Sequence, residues 1–431
     1  MQPGDPGAAC DAQTELPDIE DAFCSGSFFQ DPHAIYRRLR EQAPVYWSTY
    51  LGQWLVTSHE FVEEVLRQPR VYSNFGFDTA YIARLTNDDR EHVRTLDHHF
   101  HQRGLIQADP PEHTRLRRAL GTHFTAKVVG QLEDRIRAAI AEFLATTATD
   151  SIEVIGDLAS PLPVRVIAEL IGVEPDDRTN FPRWSADAVR FFGTPLPDAE
   201  NARRLDSGLV EWRALLERLF DARRITPRND LATVVTELID EGSITLEEGL
   251  FTCVHLLIAG HETTTNLIGN ALYCLLTHPE AMDAIAENPA LLQGAIEEVL
   301  RFEPPIQRIR RLAGQTTELG GMTIRAGEPV IPVLAAANRD PVRFDDPDRF
   351  DISRDLKGSA QRHLSFGHGV HFCIGAPLAL IEASAAVEAV IDRYPDAALP
   401  ETFVPDWRRT INMRGLNSLP ITSQRVALGT G

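Results

Sequence analysis

Apolar residues recur along most of this chain at helical spacing, interrupted by a few short alternating runs. Residues 1–20 are acidic and contain Pro and Gly, and are expected to form a disordered tail with no signal or anchor character. Asp31-Pro32 then opens a helix with Ile35, Tyr36 and Leu39 on one face. Val45-Tyr46-Trp47 and Gln53-Trp54-Leu55-Val56-Thr57 flank a Gly-containing turn and predict a hairpin. Ser58 starts a helix carrying Val62, Val65 and Leu66. Residues 73–108 are aromatic, charged and irregular, which predicts a long loop with short helices, a kind of segment that often carries function. Asp109-Pro110-Pro111-Glu112 begins the next helix, with proline in the first turn and acids near its positive end. Residues 126–250 read as mostly helical, broken at Pro161-Leu162-Pro163, Pro175-Asp176-Asp177 and Pro195-Leu196-Pro197. A helical apolar period runs from Leu246 to about His278, a helix roughly 45–50 Å long. Ala295–Arg301 is helical before Pro304-Pro305, and Thr317–Ile324 and Val330–Leu334 read as strands around Gly-rich turns.

Several positions in this pattern carry polar groups that an apolar frame does not need. In the middle of the long helix sits Ala259-Gly260-His261-Glu262-Thr263-Thr264-Thr265-Asn266. Acid, hydroxyls and amide are costly inside an apolar helix unless partnered. Threonine can bond back to its own helix and open a local kink, and the small Ala259-Gly260 pair lets a flat ligand approach the backbone. His113 and Arg117, four apart, share a helix face, as do Glu298 and Arg301, three apart. By itself either pair would be an exposed polar face of little energetic weight. Finally, Phe366-Gly367-His368-Gly369-Val370-His371-Phe372-Cys373-Ile374-Gly375 sets one cysteine among glycines just ahead of an apolar helical pattern. The positive end of that helix favours thiolate over thiol. With no Cys or His at zinc spacing, the thiolate does not build a tetrahedral zinc site. It suits the axial position of a haem iron.

The run Phe-Gly-x-Gly-x-His-x-Cys-x-Gly resembles the haem-binding loop of the cytochrome P-450 (haem-thiolate monooxygenase) family, in its soluble bacterial branch, and the resemblance spans roughly residues 30–422. It implies a mainly α fold with small β-sheets (α+β), a single domain over 21–431, and a haem between the long central helix and the cysteine-loop helix. It implies that Cys373 ligates the iron of haem b (iron-protoporphyrin IX), inside a loop where Phe366 packs on the sulfur. Gly367 belongs to that loop, and Gly369 and Gly375 let backbone N–H groups approach the sulfur. His113, Arg117, Arg311 and His371 would hold the propionates, and Ala259 and Gly260 would line the haem. Thr263 would hydrogen-bond dioxygen while Glu262 gates proton delivery. Glu298 and Arg301 match two members of a buried structural triad whose third is Arg349. Residues 73–108 would roof the substrate pocket and Trp184–Pro197 would form its mobile lid. Arg115 and Arg118 are candidates for docking an electron donor. Leu380 stands where relatives carry Arg, on the surface that faces the donor.

With 431 residues and a net charge of -20, length alone allows two domains, and the acidic balance argues against nucleic acid as a partner. Hydrophobic content of 43% is ordinary for a soluble globule, and the apolar run Phe251–Gly260 is only about half a membrane span, so no membrane partner is expected. Cys10, Cys24, Cys253, Cys274 and Cys373 show no pairing logic, which fits a reducing, cytoplasmic setting. No flavin-binding or iron–sulfur cysteine spacing is present. Electrons from NAD(P)H are therefore expected through separate proteins, a ferredoxin and a ferredoxin reductase. The expected activity is insertion of one oxygen atom of O2 into a hydrophobic small molecule by a monomer. A non-catalytic haem-thiolate sensor and a peroxide-using enzyme are the alternatives. A sensor has no need of the relay that Glu262 and Thr263 provide, and acid plus alcohol favours dioxygen over peroxide.

Overall fold

In this computed structural model, which describes residues 16–194, 197–356 and 361–423, the central helix Leu246–Thr277 organises the packing. Its start is fixed locally. The Thr245 hydroxyl accepts the Glu248 N–H at 3.2 Å, and the Glu248 carboxylate accepts the Thr245 N–H at 2.8 Å. Its two halves belong to different cores. Leu250, Cys253, Val254 and Leu257 pack with Trp184, Trp212 and Phe220. Leu267, Ile268, Ala271 and Leu275 pack with Ile296, Val299, Ala386 and Val390. The polar stretch Ala259–Asn266 contributes to neither cluster and lies at the seam between them.

The architecture is mainly α with small β-sheets, as expected. The hairpin strands Val45–Ser48 and Gln53–Val56 pair antiparallel, with Gly52 at φ 63° in the turn. They extend into a five-stranded sheet through Pro329–Pro332, Arg311–Ala313 and Tyr72–Ser73. Trp54 and Leu55 sit parallel to Val330 and Ile331, so the strand entering the short helix Leu334–Ala337 is tied to the N-terminal sheet. Residues 73–108 form short helices, Phe77–Ile82, Asn87–Glu91 and Arg94–Phe100.

Two expectations are corrected here. The tail was expected to reach residue 20, but Pro17–Ser25 is a helix whose Ile19 and Phe23 pack with Phe28 and Tyr36. The acidic composition hid this amphipathic spacing. Residues 1–15, 424–431 and Pro195-Leu196 of the expected lid lie outside the described residues. The second correction concerns the triad. Glu298 and Arg301 are both fully buried, and every guanidinium hydrogen of Arg301 has an acceptor. Nε and Nη2 bond Glu298 at 2.7 Å each, Nη1 bonds the carbonyls of Asn338 and Pro347 at 3.1 and 2.8 Å, and Nη2 bonds the carbonyl of Arg349 at 3.0 Å. Arg349 thus gives its backbone, and its side chain is exposed. The second arginine on Glu298 is Arg354, whose Nε lies 3.3 Å from Oε1 and whose other nitrogens bond the carbonyls of Asp345 and Asp346. The chain turns between these two arginines, so the nearer one in sequence faces solvent.

No helix among the described residues is long and apolar enough to cross a membrane. Replacing Arg354 by Ala should lower the unfolding free energy of the protein by about 1–3 kcal/mol in urea titrations. Arg349→Ala should cost under about 0.5 kcal/mol, as for exposed side chains generally. Equal losses from the two variants would return the third position to Arg349.

Candidate active site

The cysteine loop closes on itself through backbone bonds. The N–H of Gly367 donates to Leu364 at 2.7 Å, that of Cys373 to Phe366 at 2.9 Å and that of Phe372 to Gly369 at 3.1 Å. Gly369 has φ 72°, and a Cβ there would stand 2.9 Å from the Leu66 carbonyl oxygen. This glycine therefore seats the loop on the helix His59–Arg67; it does not bring an N–H to the sulfur, as expected from the sequence. The N–H groups that reach the sulfur are those of Gly375 and Ala376, where the helix Ala376–Arg393 begins. Burial holds the Cys373 thiol above its usual range, and the Gly375 N–H, the Arg117 charge and the Ala376 N–H offset part of that rise.

The loop is held from behind by the buried network. The Asn338 amide donates to Leu300 and to Ser365 at 3.3 and 2.7 Å and accepts the Leu364 N–H at 2.7 Å. The Ser365 hydroxyl donates back to Leu300 at 2.5 Å. Since Arg301 bonds the Asn338 carbonyl, one continuous set of hydrogen bonds runs from the Glu298–Arg301 pair to the residue before Phe366.

Four nitrogen-bearing side chains, His113, Arg117, Arg311 and His371, gather together, and the Arg117 charge acts on the sulfur. The rings of His113 and His371 lie 4.1 Å apart between centroids. Burial, then His113, Arg311 and Arg117, push His371 down to about 2, so its ring is neutral. Burial pushes Arg311 down to about 10. The nearest acid is Asp109, whose Oδ1 is 4.0 Å from His371 Nε2 and also accepts the Asn74 N–H at 3.1 Å. Arg117 has no hydrogen-bond partner among the described residues, and Arg311 bonds only the carbonyl of Arg310 at 2.8 Å. The buried atoms His113 Nδ1 and His371 Nε2 are likewise unpartnered. Two arginines and two imidazoles with one acid at the edge fit a group that brings its own carboxylates. Haem b, with two propionates and an iron that takes a sulfur ligand, matches this donor set. The neighbouring Arg310 turns away to Asp78, 3.1 Å distant, and over the rings of Phe77 and Phe192, so Arg311 and not Arg310 joins the cluster.

On the central helix, Ala259 is exposed although it lies mid-helix at the seam, and Thr263 is half-buried one turn later. The Thr263 hydroxyl donates to the Ala259 carbonyl at 2.5 Å, the back-bonding expected of this stretch. Gly260 serves a different purpose from the one expected. A Cβ there would stand 2.3 Å from Cδ1 of Ile167, so the glycine admits the helix Pro161–Ile171 and does not open the ligand side. Glu262 is buried and pairs with Arg408. The segment bearing Arg408 folds back on itself, its N–H donating to Gly415 at 2.9 Å. Gly415 in turn presses on the central helix, since a Cβ there would stand 2.0 Å from Oδ1 and 2.3 Å from Cγ of Asn266.

Arg408 and Arg354 are the residues that sequence reasoning missed. Both act across more than 50 residues of chain and sit in no periodic pattern, so no local signal marks them. Arg115, expected as a donor-docking candidate, is bound instead to the Ser243 carbonyl and to Glu248. Arg118 is exposed.

Comparison with known proteins agrees with this geometry. The family model described as Cytochrome P-450 matches residues 215–420. The chain is 39% identical over 419 residues to Cytochrome P-450 107B1 of Saccharopolyspora erythraea, covering 94% of this chain and 98% of that protein. It is 34% identical to 6-deoxyerythronolide B hydroxylase of the same organism, covering 95% and 99%. A crystal structure of P450BioI in complex with an acyl carrier protein ligated to hexadec-9Z-enoic acid superposes with a TM-score of 0.84 at 33% identity, covering 93% of this chain and all of that one.

The Gly415–Asn266 contact gives a direct check on how the distal wall is built. Gly415→Ala should destabilise the fold by about 1–3 kcal/mol through overpacking. Asn266→Ala in that background should recover most of the loss, read as coupling in a double-mutant thermal or urea series. A neutral Gly415→Ala would contradict the packing described.

Proposed function

The chain belongs to the cytochrome P-450 family, and on that premise we propose the roles of its individual residues, its electron donors and its class of substrate. As a member it is a P-450 monooxygenase with haem b as cofactor, its electrons originating in NAD(P)H and arriving through partner proteins. The haem, when bound, supplies an iron that activates dioxygen.

In this reading Cys373 is the iron ligand, and the N–H groups of Gly375 and Ala376 moderate the charge on its sulfur. Arg117, Arg311, His113 and His371 bind the two propionates, which supply the anions that this buried cationic cluster lacks. Thr263 sits on the open face one turn from Ala259, and rotation of its hydroxyl away from the Ala259 carbonyl turns a hydrogen-bond donor toward the reacting oxygen. Glu262 gates delivery of the proton. Arg408 binds its Oε2 and is partly exposed, so release of that pair connects the buried carboxylate with solvent. The proton then passes to the oxygen side through Thr263 or water. The single observation that carries the assignment is the convergence of an N–H-solvated thiol with four cationic or imidazole groups that have few partners among the described residues.

The reaction is hydroxylation of an apolar secondary metabolite. Two relatives are by name a 6-deoxyerythronolide B hydroxylase and a vitamin D(3) 25-hydroxylase, which supports a bulky, largely apolar skeleton here. The electron donors are a ferredoxin and its NAD(P)H-dependent reductase, and the protein acts as a cytoplasmic monomer. Reduced protein under carbon monoxide should show the long-wavelength Soret band of a thiolate ligand, and Cys373→Ala should not. With a ferredoxin–reductase pair and isotopically labelled dioxygen, the product should carry one labelled oxygen. Turnover by peroxide with none from the donor pair would overturn the donor assignment. Glu262→Gln should slow product formation on the order of 100-fold, the usual weight of a positioned acid. Thr263→Ala should consume NADPH while forming less product per electron pair. Unchanged coupling in both variants would remove these two residues from the mechanism.

A further inference from the structure

The open stripe of the central helix extends one turn beyond Ala259, to His255. Four-residue spacing places His255, Ala259 and Thr263 along one face. His255 Nδ1 lies 3.0 Å from the Phe251 carbonyl. A carbonyl only accepts, so Nδ1 carries the hydrogen. Burial pushes the ring down to about 4, which leaves it neutral with a bare lone pair on Nε2. That nitrogen has no hydrogen-bond partner among the described residues. The ring is fixed face-on. It stacks on Phe251 at 3.8 Å and 12°, and on His99 at 5.1 Å and 4°. Phe251 in turn abuts Gly104, where a Cβ would stand 1.8 Å from the ring.

More unpartnered polar atoms collect around it. His99 is 2% exposed and neither of its ring nitrogens has a partner. Gln107 is 5% exposed; its Nε2 donates to Asp78 Oδ2 at 2.5 Å and its Oε1 is left without a donor. Asp78 also pairs with Arg310 at 3.1 Å. The Gln107 N–H donates to the Gly104 carbonyl at 3.1 Å, and Gly104 abuts Phe251, which stacks on His255, so the group lies near that ring. A buried polar atom without a partner costs about 1–3 kcal/mol, so several in one recess point to a ligand that satisfies them.

We propose that His255 Nε2 and Gln107 Oε1 form a polar subsite of the substrate pocket that binds a hydroxyl group of the substrate. Both atoms accept hydrogen bonds, so a substrate O–H donates its one proton to either of them. The subsite rests on the P-450 reading and narrows its substrate to an apolar skeleton with a hydroxyl roughly 12 Å along the helix from Thr263, the rise of eight residues. His255 acts here as a specificity-determining residue; it takes no part in the oxygen chemistry.

The test uses the haem-loaded protein and two matched pairs of probes, testosterone with androstenedione and 12-hydroxydodecanoic acid with dodecanoic acid, followed by substrate-induced spin-state shift. In at least one pair the hydroxyl-bearing member should bind roughly tenfold tighter, the weight of one buried hydrogen bond. His255→Phe should reduce that preference to under about twofold while leaving the ferrous-carbonyl band in place, and His255→Gln, which keeps an acceptor, should retain part of it. No preference in either pair, including no shift with any probe, or a preference that survives His255→Phe, overturns the proposal. Imidazole ¹⁵N spectra at neutral pH give a readout free of any ligand: the His255 signals should show Nδ1 protonated and Nε2 bare, and the opposite tautomer overturns the subsite. A wild-type protein without the thiolate band would instead strike at the family reading beneath the subsite, so the two failures are distinguishable.

Discussion

The five hydrogen bonds of Arg301 hold this structure's chemistry in place. A guanidinium and a carboxylate with no exposure to water are expensive to bury. Here the expense is met because every hydrogen of Arg301 finds an oxygen, two on Glu298 and three on backbone carbonyls. Those carbonyls belong to Asn338, at the end of the short helix Leu334–Ala337, and to Pro347 and Arg349 in irregular chain. Through Asn338 and Ser365 the same network ends at the cysteine loop. A charged pair thus does for the loop what an apolar core does for a helix.

The site occupies the seam between two apolar cores because each half of the central helix is claimed by a different one. Between them, residues 259–266 are released from packing duty and carry acid, hydroxyl and amide. Glu262 and Asn266 are then disciplined from outside the helix, by Arg408 and by the backbone at Gly415. The proximal side follows a different rule. There the groups are cationic or imidazole, and they remain largely unpartnered by the protein itself.

Local pattern made much of this legible. The central helix was expected from Leu246 to about His278 and runs Leu246–Thr277, because its apolar period shows in sequence on both sides of the polar stretch 259–266. The Phe-Gly-x-Gly-x-His-x-Cys-x-Gly run pointed to the sulfur, and Asp-Pro-Pro-x-His-x-x-x-Arg to His113 and Arg117. Long-range partners were another matter. Arg349 and Arg354 are five residues apart on an irregular turn, and only the three-dimensional path shows which one faces Glu298. Arg408 and the strand Pro420–Ser423, which pairs with Ser151–Glu153, depend on contacts across more than a hundred residues. Glycines were readable as special but not as to purpose: Gly260 and Gly369 make room for Ile167 and Leu66, not for a ligand.

The central claim is that the sulfur of Cys373 binds the haem iron. X-ray absorption at the iron edge of the haem-loaded ferric protein tests it most directly. The account predicts one sulfur among the iron's nearest neighbours in the wild type and none in Cys373→His. An iron shell of nitrogen and oxygen alone in the wild type, or a sulfur that persists in the variant, would contradict it.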